Sequence, residues 1–151
     1  MTRAEYAASL FHDGYNCAQA VAVAFSDLLG MEPAQCAKAV SGFGGGFGRL
    51  REVCGAVSGM TFVISSLYGY DAPDPDRQMA TYALIQELAG RFQAQVGSIV
   101  CRDILKNPPS DPAPTPRTAE YYAKRPCARM VYLAASLVEE QIAAQPLTQE
   151  N

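Results

Sequence analysis

The sequence predicts an all-α fold, a single-domain bundle of six or seven helices with a glycine-rich loop and a proline-rich connector. Apolar residues recur with helical spacing along most of the 151-residue chain, and no segment alternates between apolar and polar residues for long enough to form a strand. A chain of this length with 49% apolar residues can bury a sizeable core without covalent staples. We therefore assign residues 1–151 to one helical domain.

Four helices are predicted in the N-terminal half. Asn16 and Pro33 are typical of helix starts, because Asn accepts hydrogen bonds from free N–H groups and Pro lacks an N–H of its own. Gly14 and Gly30 are typical of the position just after a helix. Five of the seven residues from 42 to 48 are glycine, which predicts a loop there. The predicted helices span residues 2–12, 17–29, 33–42 and 50–68.

The C-terminal half begins with a long helix that Asp74 or Pro75 opens and Gly97 ends. Ser98 is a candidate cap for a short helix that follows. Residues 106–117 are rich in proline and form a stiff connector without regular structure, and residues 145–151 form a frayed tail. The predicted helices span residues 75–96 and 126–144, and the short segments 98–105 and 118–124 are candidates for a further short helix.

Composition excludes two classes of partner. Twelve basic residues against fifteen acidic ones give a net charge of −3, which leaves no cationic surplus for nucleic acid. The longest apolar stretch, residues 53–70, is interrupted by glycine and serine and is too short for a membrane span. The N-terminus lacks the apolar segment of a signal peptide. We therefore expect a cytoplasmic protein whose thiols are reduced.

Five cysteines are the main chemical signal of the sequence. No two of them form a C-x-x-C pair, which argues against a thioredoxin-type motif, c-type haem attachment and the usual zinc-finger ligand pairs. Any cooperation between them needs a fold that gathers distant segments. The five residues are Cys17, Cys36, Cys54, Cys101 and Cys127.

Four of these cysteines, Cys17, Cys54, Cys101 and Cys127, fall in the first turns of predicted helices. The free N–H groups and partial positive charge of a helix start favour thiolate over thiol, and the thiolate is both the nucleophile and the metal ligand. Cys36 also lies near a helix start, so position alone does not set it apart. The alternative for each cysteine is a small buried hydrophobic residue.

Glycines near the cysteines are candidate cofactor contacts. In the loop, glycine allows backbone N–H groups to converge on an anion or a cluster, and the alternative is a tight corner between helices. Neither a P-loop nor a dinucleotide-binding fingerprint is present. Within the fourth helix, glycine leaves room beside Cys54 or permits close helix packing. The candidates are Gly44, Gly45, Gly46, Gly55 and Gly59.

Three aromatic side chains beside these motifs are predicted to be structural. Phe43 and Phe47 are expected to pack into the core rather than stack on a ligand. His12 is expected to be an exposed residue at a helix C-terminus, where the helix dipole favours it, and the alternative is a base or ligand.

Read together, four separated motifs resemble the C-GCAxxG-C-C family of redox-active proteins. They are FHDGYNCAQA around Cys17, the glycine loop, CGAVSG from Cys54, and CRDIL from Cys101 followed by a late Cys127. The resemblance covers roughly residues 4–137, and in it the shared cysteines fall on these four positions and not on Cys36. It implies a redox or metal-cluster role. The motifs also resemble a domain found in split-Soret cytochromes, but this chain lacks the C-x-x-C-H sites that such cytochromes need, so c-type haem is not expected.

We therefore expect Cys17, Cys54, Cys101 and Cys127 to converge, as catalytic residues or as metal ligands. Four thiolates suit an iron–sulfur cluster or zinc, whereas reversible disulfides leave three pairings open. Cys17 is the predicted attacking thiolate, and the redox partner is unidentified. One alternative is a non-catalytic helical interaction module, including a homodimer, with structural or buried cysteines. Another is a small-anion binder that uses the glycine loop.

Overall fold

The computed structural model describes residues 1–148 and confirms the all-α prediction. Eight α-helices form within this part of the chain, one more than the upper predicted number, because the two short segments of five and six residues both become helical. They are α1 Arg3–His12, α2 Cys17–Val23, α3 Pro33–Ala39, α4 Gly55–Tyr68, α5 Pro75–Val96, α6 Cys101–Leu105, α7 Ala119–Lys124 and α8 Cys127–Ala144, with a 3-10 turn at Ser41–Phe43. No helix within residues 1–148 has the length and apolar character that a membrane crossing requires.

Local sequence signals explain where several helices begin. Thr2 and Asn16 each form a capping box. The cap side chain accepts a hydrogen bond from the backbone N–H three residues later, and the side chain of that later residue accepts one from the backbone N–H of the cap. Asp74 caps α5 by accepting from the two N–H groups that follow Pro75. Gly97 ends α5 in the left-handed conformation, at φ 100°. These boundaries match the prediction.

The core lies between α1, α2, α4 and α8, which pack on one another. Its largest fully buried side chains include Phe11, Phe25, Met60 and Ile64. Helices α2 and α4 approach closely at Gly59, where an added Cβ would lie 2.7 Å from the Ala18 carbonyl oxygen. The long α5 lies at the edge of this core and buries only two side chains, Leu88 and Phe92.

Two predicted helices are shorter by five residues or more in the structure. Helix α2 ends at Val23, and turns continue to Gly30. Helix α4 begins at Gly55 rather than near residue 50, because Arg49 and Arg51 have left-handed φ angles of 66° and 64° that no α-helix contains. The glycine loop therefore runs on to Arg51. Phe47, also left-handed, is 55% exposed, so the prediction that it packs into the core was wrong.

The proline-rich connector contains no helix, as predicted, and three arginines hold it against the rest of the fold. Arg51 Nε donates to the Pro109 carbonyl at 2.8 Å, and Arg49 Nη1 donates to Thr115 Oγ1 at 3.2 Å. Arg117, at the end of the connector, donates to the carbonyl oxygens of Phe11 in α1 and of Tyr15 just after it. After α8, residues 145–148 have no regular structure, and the remainder of the predicted frayed tail lies outside the described residues.

Candidate functional site

A cavity of about 360 Å³ lies where the glycine loop and the proline connector meet the helical core. Four cysteines from four separate helix starts line it: Cys17, Cys54, Cys101 and Cys127. The fifth, Cys36, is fully buried within α3 and does not line the cavity. The structure thus brings together the four cysteines that the motifs singled out.

Each of the four cysteines lies where a helix begins. Cys17, Cys101 and Cys127 are the first residues of α2, α6 and α8, and Cys54 is the residue that precedes α4. The local causes differ. Asn16 caps α2 directly before Cys17, and Pro126 precedes Cys127. The helix ends therefore converge on one cavity although the cysteines are far apart in sequence.

A single antiparallel bridge places Cys54 beside Cys101. Val53 pairs with Val100. On one side of this bridge Cys54 N donates to Ile99 O at 2.7 Å, and on the other Cys101 N donates to Glu52 O at 2.6 Å. The sequence contained no signal for this pairing, because one bridging residue in each segment leaves no alternating pattern.

Glycines allow the loop to approach these cysteines closely. A Cβ added to Gly46 would lie 2.6 Å from Cys101 Cβ, and one added to Gly55 would lie 3.2 Å from Cys17 Cβ. Four of the five predicted glycines line the cavity: Gly44, Gly45, Gly46 and Gly55. Gly59 lies away from it, at the α2–α4 contact, which corresponds to the close-packing alternative.

Cys17 and Cys127 form an interacting pair with opposite pKa shifts. Hydrogen bonding to Cys17 lowers the pKa of Cys127 to about 7, against the opposing effect of burial and with help from Arg125 and Arg117. The same interaction, together with burial, raises the pKa of Cys17 well above its ordinary value. Cys17 is partly exposed, whereas Cys127 is only 8% exposed. The pair can therefore hold one negative charge on Cys127 while Cys17 keeps its proton.

Cys54 and Cys101 are less prone to ionise. Burial raises the pKa of Cys54 to about 12, although the peptide groups of Ala56 and Val57 offset part of the rise. Burial also raises the pKa of Cys101, and Arg51 opposes this shift by donating from Nη1 to Cys101 Sγ at 3.6 Å. Within residues 1–148, no three Cys, His, Asp or Glu side chains are grouped so that they could hold one metal ion.

The cavity wall also contains four arginines: Arg49, Arg51, Arg117 and Arg125. No Asp or Glu of the described chain lines the cavity with them. Arg125 lies two residues before Cys127 in the sequence. Two other arginines near cysteines in the sequence do not line the cavity, because Arg102 pairs with Glu52 at 3.1 Å and Arg129 is exposed. Nothing in the sequence distinguished Arg49 and Arg51, whose positions depend on the left-handed turns of the loop.

His12 and Phe43 have structural surroundings. His12 is exposed at the end of α1, where its ring lies 4.8 Å from that of Tyr122, and it does not line the cavity. Phe43 packs, partly buried, against the core as predicted. Tyr121 does line the cavity, beside the guanidinium of Arg125 at 5.1 Å from its ring centre.

One comparison with known proteins gives a match. A family model described as "Putative redox-active protein (C_GCAxxG_C_C)" matches residues 15–141, which include all four cavity cysteines. No curated protein and no solved structure matches the chain.

Proposed function

Because the chain belongs to the C_GCAxxG_C_C family, whose name describes redox-active proteins, we propose that it performs thiol–disulfide exchange with Cys17 and Cys127 as the exchanging pair. The proposal is supported by the placement of Cys17 and Cys127 in the wall of one cavity, and by their mutual hydrogen bonding, which shifts their pKa values in opposite directions. One thiol of such a pair is ionised and ready to attack, and the other supplies the second sulfur. Exchange requires both.

Cys127 is the attacking group in this proposal. With a pKa of about 7, roughly half of it is thiolate at neutral pH. The raised pKa of Cys17 makes it a poor first nucleophile, although its partial exposure agrees with the access expected for an attacking thiol. We therefore assign Cys17 the second step, in place of the first step predicted from the sequence.

The exchange transfers two electrons to a disulfide substrate. The Cys127 thiolate attacks one substrate sulfur, the substrate S–S bond breaks, and the first substrate thiolate leaves. A mixed disulfide now joins Cys127 to the other half. Cys17 then gives up its proton and its sulfur attacks Cys127 Sγ, which releases the second substrate thiolate. The products are a Cys17–Cys127 disulfide and two reduced thiols, and the reverse sequence oxidises a dithiol.

Mapping of the oxidised protein tests the assignment. We expect treatment of reduced protein with a small disulfide to yield a Cys17–Cys127 cross-linked peptide, detected by mass spectrometry without reduction. Cys17→Ser should stop the reaction at the mixed disulfide on Cys127, and Cys127→Ser should abolish the rapid phase. Cys36→Ser is the matched control, because Cys36 lies outside the cavity. A different cross-link, or five thiols that remain free, would overturn the proposal.

A metal centre is the second candidate function, because four thiols line a single cavity. Their chemistry suits zinc or an iron–sulfur cluster, with Cys17, Cys54, Cys101 and Cys127 as ligands. The observed side-chain arrangement favours the dithiol, because it does not group three of them for one ion. Anaerobic purification followed by metal and acid-labile sulfide analysis separates the two. Stoichiometric metal that is lost in Cys54→Ser would favour the metal centre.

The remaining expectations stay predictions. A reduced resting pair suits the reducing cytoplasm predicted from the sequence. The redox partner and a homodimer likewise stay predictions. The non-catalytic module would be favoured if all five thiols proved inert towards disulfides in the folded protein.

A further inference from the structure

The charge of the cavity points to the chemical class of its substrate. The protein as a whole is acidic, with a net charge of −3, yet the cavity wall has four arginines and no carboxylate. Elsewhere in residues 1–148, four other arginines form ion pairs with acidic side chains: Arg3, Arg77, Arg91 and Arg102. The cavity arginines form none within this part of the chain.

Two cavity arginines, Arg51 and Arg117, form hydrogen bonds that stabilise the fold. Arg51 is 5% exposed and donates both to the Pro109 carbonyl, at 2.8 Å, and to Cys101 Sγ, at 3.6 Å. Arg117 donates to the carbonyls of Phe11 and Tyr15, and its guanidinium carbon lies 4.3 Å from the centre of the Phe11 ring. Their positive charges act on the cavity, and each uses two of its five N–H donors within the fold.

The other two arginines retain free donors. Arg49 makes one hydrogen bond, from Nη1 to Thr115 Oγ1 at 3.2 Å, and its Nε is buried without a partner in the described chain. Arg125 lines the cavity with its guanidinium carbon 5.1 Å from the centre of the Tyr121 ring, and within residues 1–148 its side chain donates no hydrogen bond. The remaining N–H donors of these two charged groups can form charge-assisted hydrogen bonds to an anion in the cavity.

The glycine loop adds backbone donors to the same wall. The N–H groups of Gly44, Gly45 and Gly46 make no hydrogen bond to a backbone carbonyl within residues 1–148. Gly45 and Gly46 have left-handed φ angles of 65° and 74°. Successive free N–H groups in turns of this kind add to the positive potential that the arginines create.

We propose that the substrate is a small disulfide with a negatively charged group, such as a carboxylate. This group binds Arg49 and Arg125 and places a sulfur of the disulfide against Cys127. This inference rests on the proposed exchange function. A cavity of about 360 Å³ has the size of a site for a small molecule. The attacking residue Cys127, which is only 8% exposed, is more accessible to a small molecule than to the surface of another protein.

Three small disulfides of nearly equal size test the charge preference. Bis(2-carboxyethyl) disulfide is anionic, bis(2-hydroxyethyl) disulfide is neutral and cystamine is cationic. We measure the rate of Cys127 mixed-disulfide formation with each at neutral pH, and divide it by the rate of the same disulfide with free mercaptoethanol. The expected preference for the anion over the neutral compound is about tenfold, which is the size of one charge-assisted hydrogen bond.

Arg49→Met should remove most of that preference, taken as the ratio of the normalised rates with the anionic and the neutral disulfide in the same variant, so that any change common to both disulfides cancels. Arg129→Met is the control, since Arg129 is an exposed arginine of α8 that does not line the cavity. Equal normalised rates for the three disulfides with the native protein would overturn the anionic substrate while exchange itself stands.

A non-reactive ligand separates this inference from the exchange reaction. Thiodipropionate is dianionic and has a thioether in place of the disulfide, so it cannot exchange. We expect it to bind the native protein and Arg129→Met in calorimetry, and to bind Arg49→Met about tenfold more weakly. If it binds but no disulfide reacts, the exchange function fails and the anion site remains. If it does not bind the native protein, the anion site is refuted whatever the exchange data show.

Discussion

Gly46 gives the sharpest test of how the glycine loop supports the cysteine cavity. Its φ of 74° is one that residues with a Cβ rarely adopt, and a Cβ there would lie 2.6 Å from Cys101 Cβ and 2.9 Å from Arg51 Cα. The backbone atom cannot move aside as the end of a flexible side chain can. Gly46→Ala therefore adds left-handed strain of about 1–2 kcal/mol to an overpacking cost of about 1–3 kcal/mol.

We expect Gly46→Ala to lower the free energy of unfolding by roughly 2–5 kcal/mol, measured by urea denaturation followed by circular dichroism. Gly90→Ala is the matched control, because Gly90 lies inside helix α5 with no atom within 4 Å of its added Cβ. Alanine is a better helix former than glycine by about 1 kcal/mol, so the control should be stabilised.

The location of the damage is tested separately by hydrogen exchange. We expect Gly46→Ala to speed exchange most at the amides of Cys54 and Cys101, which hold the antiparallel bridge together. A loss of stability below about 1 kcal/mol would refute the reasoning, because the left-handed strain alone exceeds it. So would a loss spread evenly over the helices with the bridge unaffected.

Three further predictions concern the thiols. Alkylation of Cys127 by iodoacetamide should rise with pH along a curve centred near 7, and Cys17→Ala should move that curve to higher pH, because the hydrogen bond from Cys17 is the largest cause of the low pKa. Cys36→Ala should leave disulfide exchange unchanged but reduce stability in urea denaturation, since this thiol is fully buried among core residues; slower exchange in this variant would contradict the site assignment. The free energy of unfolding should rise between about pH 7 and 9, because Cys127 is ionised there in the folded chain but still protonated in the unfolded one. It should fall above about pH 9, because Cys54, with a pKa of about 12, ionises there only after unfolding. A flat profile across pH 7 would mean that Cys127 has an ordinary pKa.

The parts of the fold that the sequence could predict depend on local interactions. The caps at Thr2, Asn16 and Asp74 use side chains within three residues of the N–H groups they bind, so the pattern is visible in a short window. The same holds for the end of α5 at Gly97. The start of α4 was predicted about five residues early, because it depends on pairing with a segment far along the chain.

The site, too, was predictable only where local signals determine it. The predicted helix starts placed the cysteines at helix N-termini, and the family resemblance selected four of the five. Neither could single out Cys17 and Cys127 as the proposed exchanging pair, because three pairings of four cysteines are equally compatible with the sequence. The arginines were missed for a related reason. Arg49 and Arg51 follow a glycine run in a segment that resembled a helix start, and only the left-handed backbone turns them into the cavity wall.

The proposed chemistry gives the arginines two consecutive tasks. Before reaction, Arg125, Arg117 and Arg51 stabilise the buried thiolate of Cys127. Attack on a disulfide consumes that negative charge, because the sulfur becomes neutral in the mixed disulfide. The cavity then has the same positive charges with one anion fewer, so an anionic group that remains attached to Cys127 is held more strongly than it was on entry. This holding keeps the mixed disulfide beside Cys17, whose high pKa makes its attack the slower step. Loss of the charge at Arg125 should therefore slow formation of the mixed disulfide and also shorten its lifetime against competing external thiols, an outcome that rapid-quench mass spectrometry with Arg125→Met can measure directly.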